Sequence, residues 1–109
     1  MIDANLLKGN LDLILLAILE PSEMYGLEIT KEVLERTDGY FALKEGTLYP
    51  ALHRLEKAGF IAGSFKYLPR GGSPVKFYSL TSTGIKELET RRKAFRSFTS
   101  AVQSLLGES

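Results

Sequence analysis

The side chains able to act on another molecule concentrate in one stretch, Glu45 to Ile61, EGTLYPALHRLEKAGFI. Placed on a helix at about 100° per residue, Thr47, Pro50, His53, Arg54 and Lys57 share one side, with Tyr49 and Glu56 on its flank. Leu48, Ala51, Leu52, Leu55 and Ala58 share the other side, the apolar stripe of a core-facing helix. Two fixed cations, a histidine and a hydroxyl against one flanking acid suit the recognition of a negatively charged partner. Pro50 requires the helix to begin near Gly46 or Thr47, where backbone N–H groups lack acceptors anyway. Ala58-Gly59 closes it, because glycine takes the left-handed closing position at least cost.

Bond-making chemistry finds little support. The chain has no cysteine, so neither disulfides nor thiolate chemistry arise, and with its one histidine a tetrahedral zinc site would need unusual carboxylate ligation. No serine sits in a recognisable nucleophile elbow. Gly71-Gly72 lacks both the GxxxxGK[ST] pattern and the strand-to-helix setting of a phosphate cradle, and reads as a turn. No enzyme activity, metal or cofactor is therefore expected.

The elements that position this stretch follow from periodicity. Asn5 to Glu20 reads as a first helix, with Leu6, Leu7, Leu11, Ile14, Leu15, Ile18 and Leu19 on the i, i+3, i+4 rule. Leu13 and Leu16 lie off that stripe, which points to burial against a second surface such as another subunit. Pro21-Ser22 stops the helix, and Ser22 is placed to cap the next. That second helix is expected over Met24 to Thr37, burying Leu27, Val33 and Leu34 with Ile29 or Thr30, and Gly26 near its start permits close packing. Asp38-Gly39 is a turn.

After Gly59 the period changes to that of strands. Phe60 to Leu68 and Val75 to Leu80 are rich in aromatic and branched residues, around a Pro69-Arg70-Gly71-Gly72-Ser73-Pro74 loop. A two-stranded hairpin is marginal alone and must pack on the helices. Thr81 caps a last helix running to about Leu106, with Ile85, Leu88, Phe95, Phe98, Val102 and Leu105 close to a heptad seam. A helix of about 25 residues is roughly 37 Å long, more than so small a domain covers. It either carries dimerisation or folds back along its own domain, and the over-apolar first helix favours dimerisation.

Of 109 residues, 44% are apolar and 25% charged, the proportions of an ordinary globular domain. The formal charge of +1 conceals a step. Through Leu43, three bases face eight acids; from Lys44 to Leu80, six bases face two; from Thr81, five face three. Such a step is either a field directed at a polyanion or a set of solvated faces. Met1-Ile2-Asp3-Ala4-Asn5 has no basic n-region and Leu13 to Leu19 is too short to span a bilayer, so a cytoplasmic location is expected.

Four segments carry a resemblance: Met24-Tyr25-Gly26-Leu27-Glu28-Ile29; Gly46-Thr47-Leu48-Tyr49-Pro50-Ala51-Leu52 with Arg54-Leu55-Glu56 and Gly59; Lys76-Phe77-Tyr78 with Leu80-Thr81; and Gly84. In this order the chain resembles the PadR family of bacterial transcriptional regulators. The resemblance implies a mainly α fold with a small β-hairpin (α+β), a winged helix-turn-helix with a long C-terminal dimerisation helix. It also implies a homodimer that represses at a palindromic operator, and in many members release by a small aromatic or hydrophobic effector. The single C-terminal helix is similar to that of short members. Because the chain has no tryptophan, an aromatic sandwich would use Phe95, Phe98 or tyrosines.

The expected division is a DNA-binding part over residues 1–80 and a dimerisation helix over 81–109, in one compact domain. The expected DNA-facing residues are Thr47, Tyr49, His53, Arg54, Lys57, Lys66, Arg70 and Lys76. Thr47 and Tyr49 would hold phosphate or sugar, Tyr49 alternatively packing on the hairpin, and Arg54 would meet phosphate or a base edge. For each cation the plainer alternative is a solvated side chain. Leu11, Leu15, Leu88, Phe95, Phe98 and Val102 are expected at the dimer interface or an effector pocket. The rival reading is a winged-helix module that binds a partner protein without sequence-specific DNA binding.

Overall fold

The computed structural model describes residues 4–108; Met1, Ile2 and Asp3, part of the amino-terminal stretch read for a secretory signal, lie outside it, as does Ser109. Four helices and three strands follow in the order α1 (Ala4–Leu19), β1 (Met24–Tyr25), α2 (Gly26–Arg36), α3 (Glu45–Lys57), β2 (Ile61–Lys66), β3 (Val75–Leu80) and α4 (Ser82–Leu105). The strands form an antiparallel sheet in the order β1-β3-β2. This is a winged helix-turn-helix, with α2 and α3 as its helix pair and β2–β3 as its wing.

The sheet has one strand more than the expected hairpin. Met24 pairs with Tyr78 and Tyr25 with Phe77, so two residues assigned to the second helix are instead extended. Helix α2 consequently starts at Gly26 with Tyr25 at its cap, and Ser22 caps nothing there. The Tyr25 N–H donates to the Glu28 carboxylate at 3.2 Å, and the Tyr25 and Phe77 rings meet edge to face at 5.2 Å. The later start also moves the buried stripe. Gly26, Ile29 and Val33 are buried, while Leu27 and Leu34, expected in the core, are exposed.

Helix α3 begins at Glu45, so Pro50 lies in its second turn rather than its first. The missing proline N–H leaves the Gly46 carbonyl without its intrahelical donor. The C-terminus closes as the sequence indicates: Gly59 has φ +84°, its N–H donates to the Glu56 carbonyl at 3.0 Å, and Phe60 N–H donates to the Leu55 carbonyl at 3.0 Å. Ala58, expected on the apolar stripe, lies past the last turn and is exposed.

The Thr81 hydroxyl oxygen accepts the Gly84 N–H at 3.0 Å and donates to the Gly59 carbonyl at 2.6 Å, so one side chain caps α4 and fastens it to the end of α3. Gly84 packs so tightly on Phe60 that a Cβ there would overlap the Phe60 carbonyl oxygen.

The core joins Leu11, Leu15, Leu16, Ile18 and Leu19 of α1 to Ile29 and Val33 of α2, to Leu48, Ala51, Leu52 and Leu55 of α3, and to Ile61, Tyr78 and Leu88. Leu16 therefore lies in the protomer's own core, not on an outer side. At the other end of α4 nothing comparable covers the helix. Phe98 is 67% exposed and Leu105 88%. The radius of gyration is 15.3 Å and the extents are 54 × 30 × 21 Å, against about 13 Å for a compact chain of this length. Arg92 of α4 donates to Glu20, just past the end of α1, at 2.6 Å and to Glu89 of its own helix at 3.0 Å; both bonds raise its pKa, Glu20 most.

Candidate nucleic-acid interface

The apolar stripe of α3 is buried and its other side is in solvent, so Thr47, His53, Arg54 and Lys57 are all exposed. The side chains of Thr47, His53 and Lys57 have no hydrogen-bond or ion-pair partner among the described residues. Nothing among the described residues competes for them. Arg54 differs: its Nη2 donates to Asp12 of α1 at 2.7 Å. Asp12 also lies 3.8 Å from Arg91 of α4, whose Nε donates to Glu87 at 2.6 Å.

The wing cations divide in the same way. Lys66 is paired with Glu23, and its ammonium stands 5.5 Å from the Phe77 ring centroid. Lys76 crosses Gly63 to donate to Glu56 of α3 at 2.8 Å, and lies 5.4 Å from the Tyr78 ring centroid. The hydrogen bond to Glu56 raises the Lys76 pKa, so the ammonium form is held. Arg70, at the turn of the wing, has no partner among the described residues. Of the eight residues expected to face DNA, Arg54, Lys66 and Lys76 are thus engaged within the protomer. Sequence spacing assigned them by charge alone; their partners Asp12, Glu23 and Glu56 are 42, 43 and 20 residues away.

Tyr49 is half in solvent, and its phenol occupies the space where a Gly26 side chain would be. The glycine is what lets α2 and α3 approach at this point. Between them and the wing lies a recess of ≈ 160 Å³ lined by Tyr25, Gly26, Leu27, Tyr49, Arg70, Val75, Lys76 and Tyr78. Sequence reasoning missed Tyr25 and Tyr78 as part of this surface, because the β1–β3 pairing that brings them together was not foreseen.

On the far side, α1 and α4 form an open apolar groove of ≈ 640 Å³. Phe95, Phe98 and Val102 line it with Leu13, Ile14 and Phe41. Leu11, Leu15 and Leu88, expected at the same interface, are instead enclosed in the protomer's core at 5%, 0% and 1% exposure. Among the described residues no group of histidines and carboxylates could hold a metal ion, and no helix is long and apolar enough to cross a membrane.

A winged helix with an exposed polar face on α3, where Thr47, His53 and Lys57 keep unpaired side chains among the described residues, is the arrangement of a class of transcription regulators. Residues 15–90 match the Transcriptional regulator PadR-like family. The chain belongs to that family. It is 37% identical over 84 residues to the uncharacterised protein X of Lysinibacillus sphaericus, covering 77% of this chain and 76% of that one. Among solved structures, a transcriptional regulator from Clostridium thermocellum superposes with a TM-score of 0.85 at 29% identity, over 95% of this chain and 97% of that one. A PadR family regulator from Clostridium difficile gives 0.79 at 36%, over 90% and 99%. A PadR-like regulator from Bacillus cereus gives 0.83 at 28%, over 97% and 100%.

Proposed function

We propose that this transcription regulator is a homodimeric repressor that reads a palindromic operator by setting α3 in the major groove. The observation that carries the reading is the exposed face of α3, where the side chains of Thr47, His53 and Lys57 have no partner among the described residues. Residues 1–80 form the DNA-binding part and 81–109 the dimerisation helix. Thr47, Tyr49 and Lys57 hold phosphate or sugar, His53 faces the groove, and Arg70 on the wing adds attraction to the backbone. Arg54, Lys66 and Lys76 reach DNA only by exchanging their carboxylates for phosphates.

Two protomers associate through the exposed groove of α1 and α4. This places the two α3 helices roughly 34–36 Å apart, one turn of DNA. A small aromatic or hydrophobic effector would enter between Phe95 and Phe98 of the two copies. It would act by its differential affinity for two spacings of the reading helices.

Selection from a random duplex library at two salt concentrations tests the reading. One palindromic site should be recovered, with affinity falling steeply as salt rises. Retention of no duplex at low salt overturns it. The second reading, a module for protein partners, draws on Phe65 and Tyr67, which stand 68% and 74% exposed on and just beyond β2. Binding to a protein partner that is insensitive to salt would favour it.

A further inference from the structure

Tyr78 is the one tyrosine counted in the core, at 7% exposure, yet its hydroxyl has no hydrogen-bond partner among the described residues. A buried phenol ordinarily finds one. The hydroxyl is also not sealed from solvent, since no buried side-chain oxygen among the described residues lacks a partner. Tyr78 is also one of the residues that line the recess, beside Arg70 and Tyr49.

Three kinds of donor converge on that recess. The first is the start of α2, an 11-residue helix whose leading N–H groups have no intrahelical acceptor. Its cap residue is Tyr25, which makes no side-chain cap hydrogen bond; Glu28 reaches back to the Tyr25 N–H alone. The second is the pair of phenols, Tyr49 and Tyr78. The third is the Arg70 guanidinium, which has no carboxylate of its own. Lys76 is already paired with Glu56, and Glu28 in the first turn of α2 accepts the Tyr25 N–H, so Arg70 is the lining cation left without a carboxylate among the described residues. Burial raises the Tyr78 pKa, an effect that Lys76 partly offsets, and so the phenol stays a donor at neutral pH.

We infer that the recess between the start of α2, Tyr49 and the wing is a phosphate site, its floor donor the Tyr78 hydroxyl. A group with several acceptor oxygens and a negative charge satisfies all three kinds of donor at once. The phosphate belongs to a phosphodiester of the duplex lying along α3, because Tyr49 sits on the flank of the face that carries Thr47 and His53. This assignment rests on the DNA-binding reading. One backbone phosphate is then gripped by α2, α3 and the wing together, which fixes how far α3 enters the groove and in which register.

The test uses the full-length protein, the duplex that the wild type selects, and a set of duplexes each carrying one neutral methylphosphonate. Tyr78→Phe keeps the ring and should melt as the wild type does, but bind about five- to tenfold more weakly. Its dependence on log salt should be unchanged, because no charge is lost. Arg70→Ala should lower that slope by about 0.9. At one position the methylphosphonate should weaken the wild type strongly and Tyr78→Phe much less, since both changes remove the same contact. Wild-type affinity in Tyr78→Phe, or equal losses at every modified position, overturns the proposal.

If the wild type binds no duplex, the DNA reading fails separately. Inorganic phosphate alone then decides the site. Saturable shifts of the Gly26 and Leu27 amide resonances, lost in Tyr78→Phe, would support a site for free phosphate. No shift would overturn the proposal.

Discussion

The Arg54 guanidinium on α3 donates to the Asp12 carboxylate on α1 at 2.7 Å, across 42 residues of sequence. The same carboxylate stands 3.8 Å from Arg91 of α4. One acid thus touches a cation from α3 and a cation from α4. Arg54 keeps 58% of its side-chain surface exposed, so the bond restrains a cation that could otherwise turn to a phosphate.

Asp12→Asn should therefore cost little stability, under about 1 kcal/mol, because a pair this exposed is screened by solvent. Its effect on DNA should be larger and of opposite sign. Releasing Arg54 and removing a nearby acid are expected to tighten duplex binding several-fold at low salt. Urea denaturation and fluorescence anisotropy read the two quantities. Unchanged affinity would mean that Arg54 is a strut between α1 and α3 and takes no part in binding.

Two glycines should respond oppositely to alanine. A Cβ at Gly84 would overlap the backbone of Phe60, which cannot move aside as a side-chain end can. Gly84→Ala is expected to destabilise by about 1–3 kcal/mol through overpacking where α4 leaves the wing. Gly9, inside α1, has open space around its Cβ position. Gly9→Ala should stabilise by about 1 kcal/mol through helix propensity. Shifts in the urea midpoint in opposite directions are the measurement.

The exposed end of α4 offers a separation of dimerisation from folding. Phe98 lines the α1–α4 groove and is 67% exposed in the protomer. Phe98→Ser should leave the protomer folded by circular dichroism and move the sedimentation coefficient to that of a monomer at micromolar concentration. A dimer of unchanged affinity would place the interface elsewhere.

Stability should fall on the alkaline side. The Tyr78 pKa is raised above its ordinary 10.0 chiefly by burial, so the folded state holds the phenolic proton more tightly than the unfolded state does. Lys76 is raised above 10.5 chiefly by its hydrogen bond to Glu56, with the same sign. Both contributions are complete below pH 10 and are lost as pH rises through the raised values. The thermal midpoint should be flat in pH from 7 to about 9.5 as far as these groups are concerned, then decline. The decline should be shallower in Tyr78→Phe.

Local rules made much of the molecule legible in advance. The i, i+3, i+4 recurrence identified α1, α3 and α4, and the Thr81 cap and the Gly59 closing position appear as expected, because both depend on residues within one turn of the helix end. The strand β3 has the expected bounds for a similar reason, an alternating run between turn residues. What failed were statements about partners. Ser22 looked like a cap and Leu27 like core, because nothing near them in sequence reveals that Met24 and Tyr25 pair with a strand more than 50 residues later.

The candidate interface divides along the same line. The sequence by itself determined that α3 has one apolar side and one polar side, since helical geometry assigns faces without knowing what lies opposite. It determined the charge step and the absence of thiol chemistry, and it carried the family resemblance. Only the tertiary structure decided which cations are free. Arg54, Lys66 and Lys76 meet carboxylates brought from α1, the loop before β1, and α3, while Arg70 meets none among the described residues. It also decided that Leu11, Leu15 and Leu88 are sealed in the core while Phe95 and Phe98 are not. A hydrophobic period fixes the direction in which a side chain points, but burial depends on whether another element of the fold arrives there.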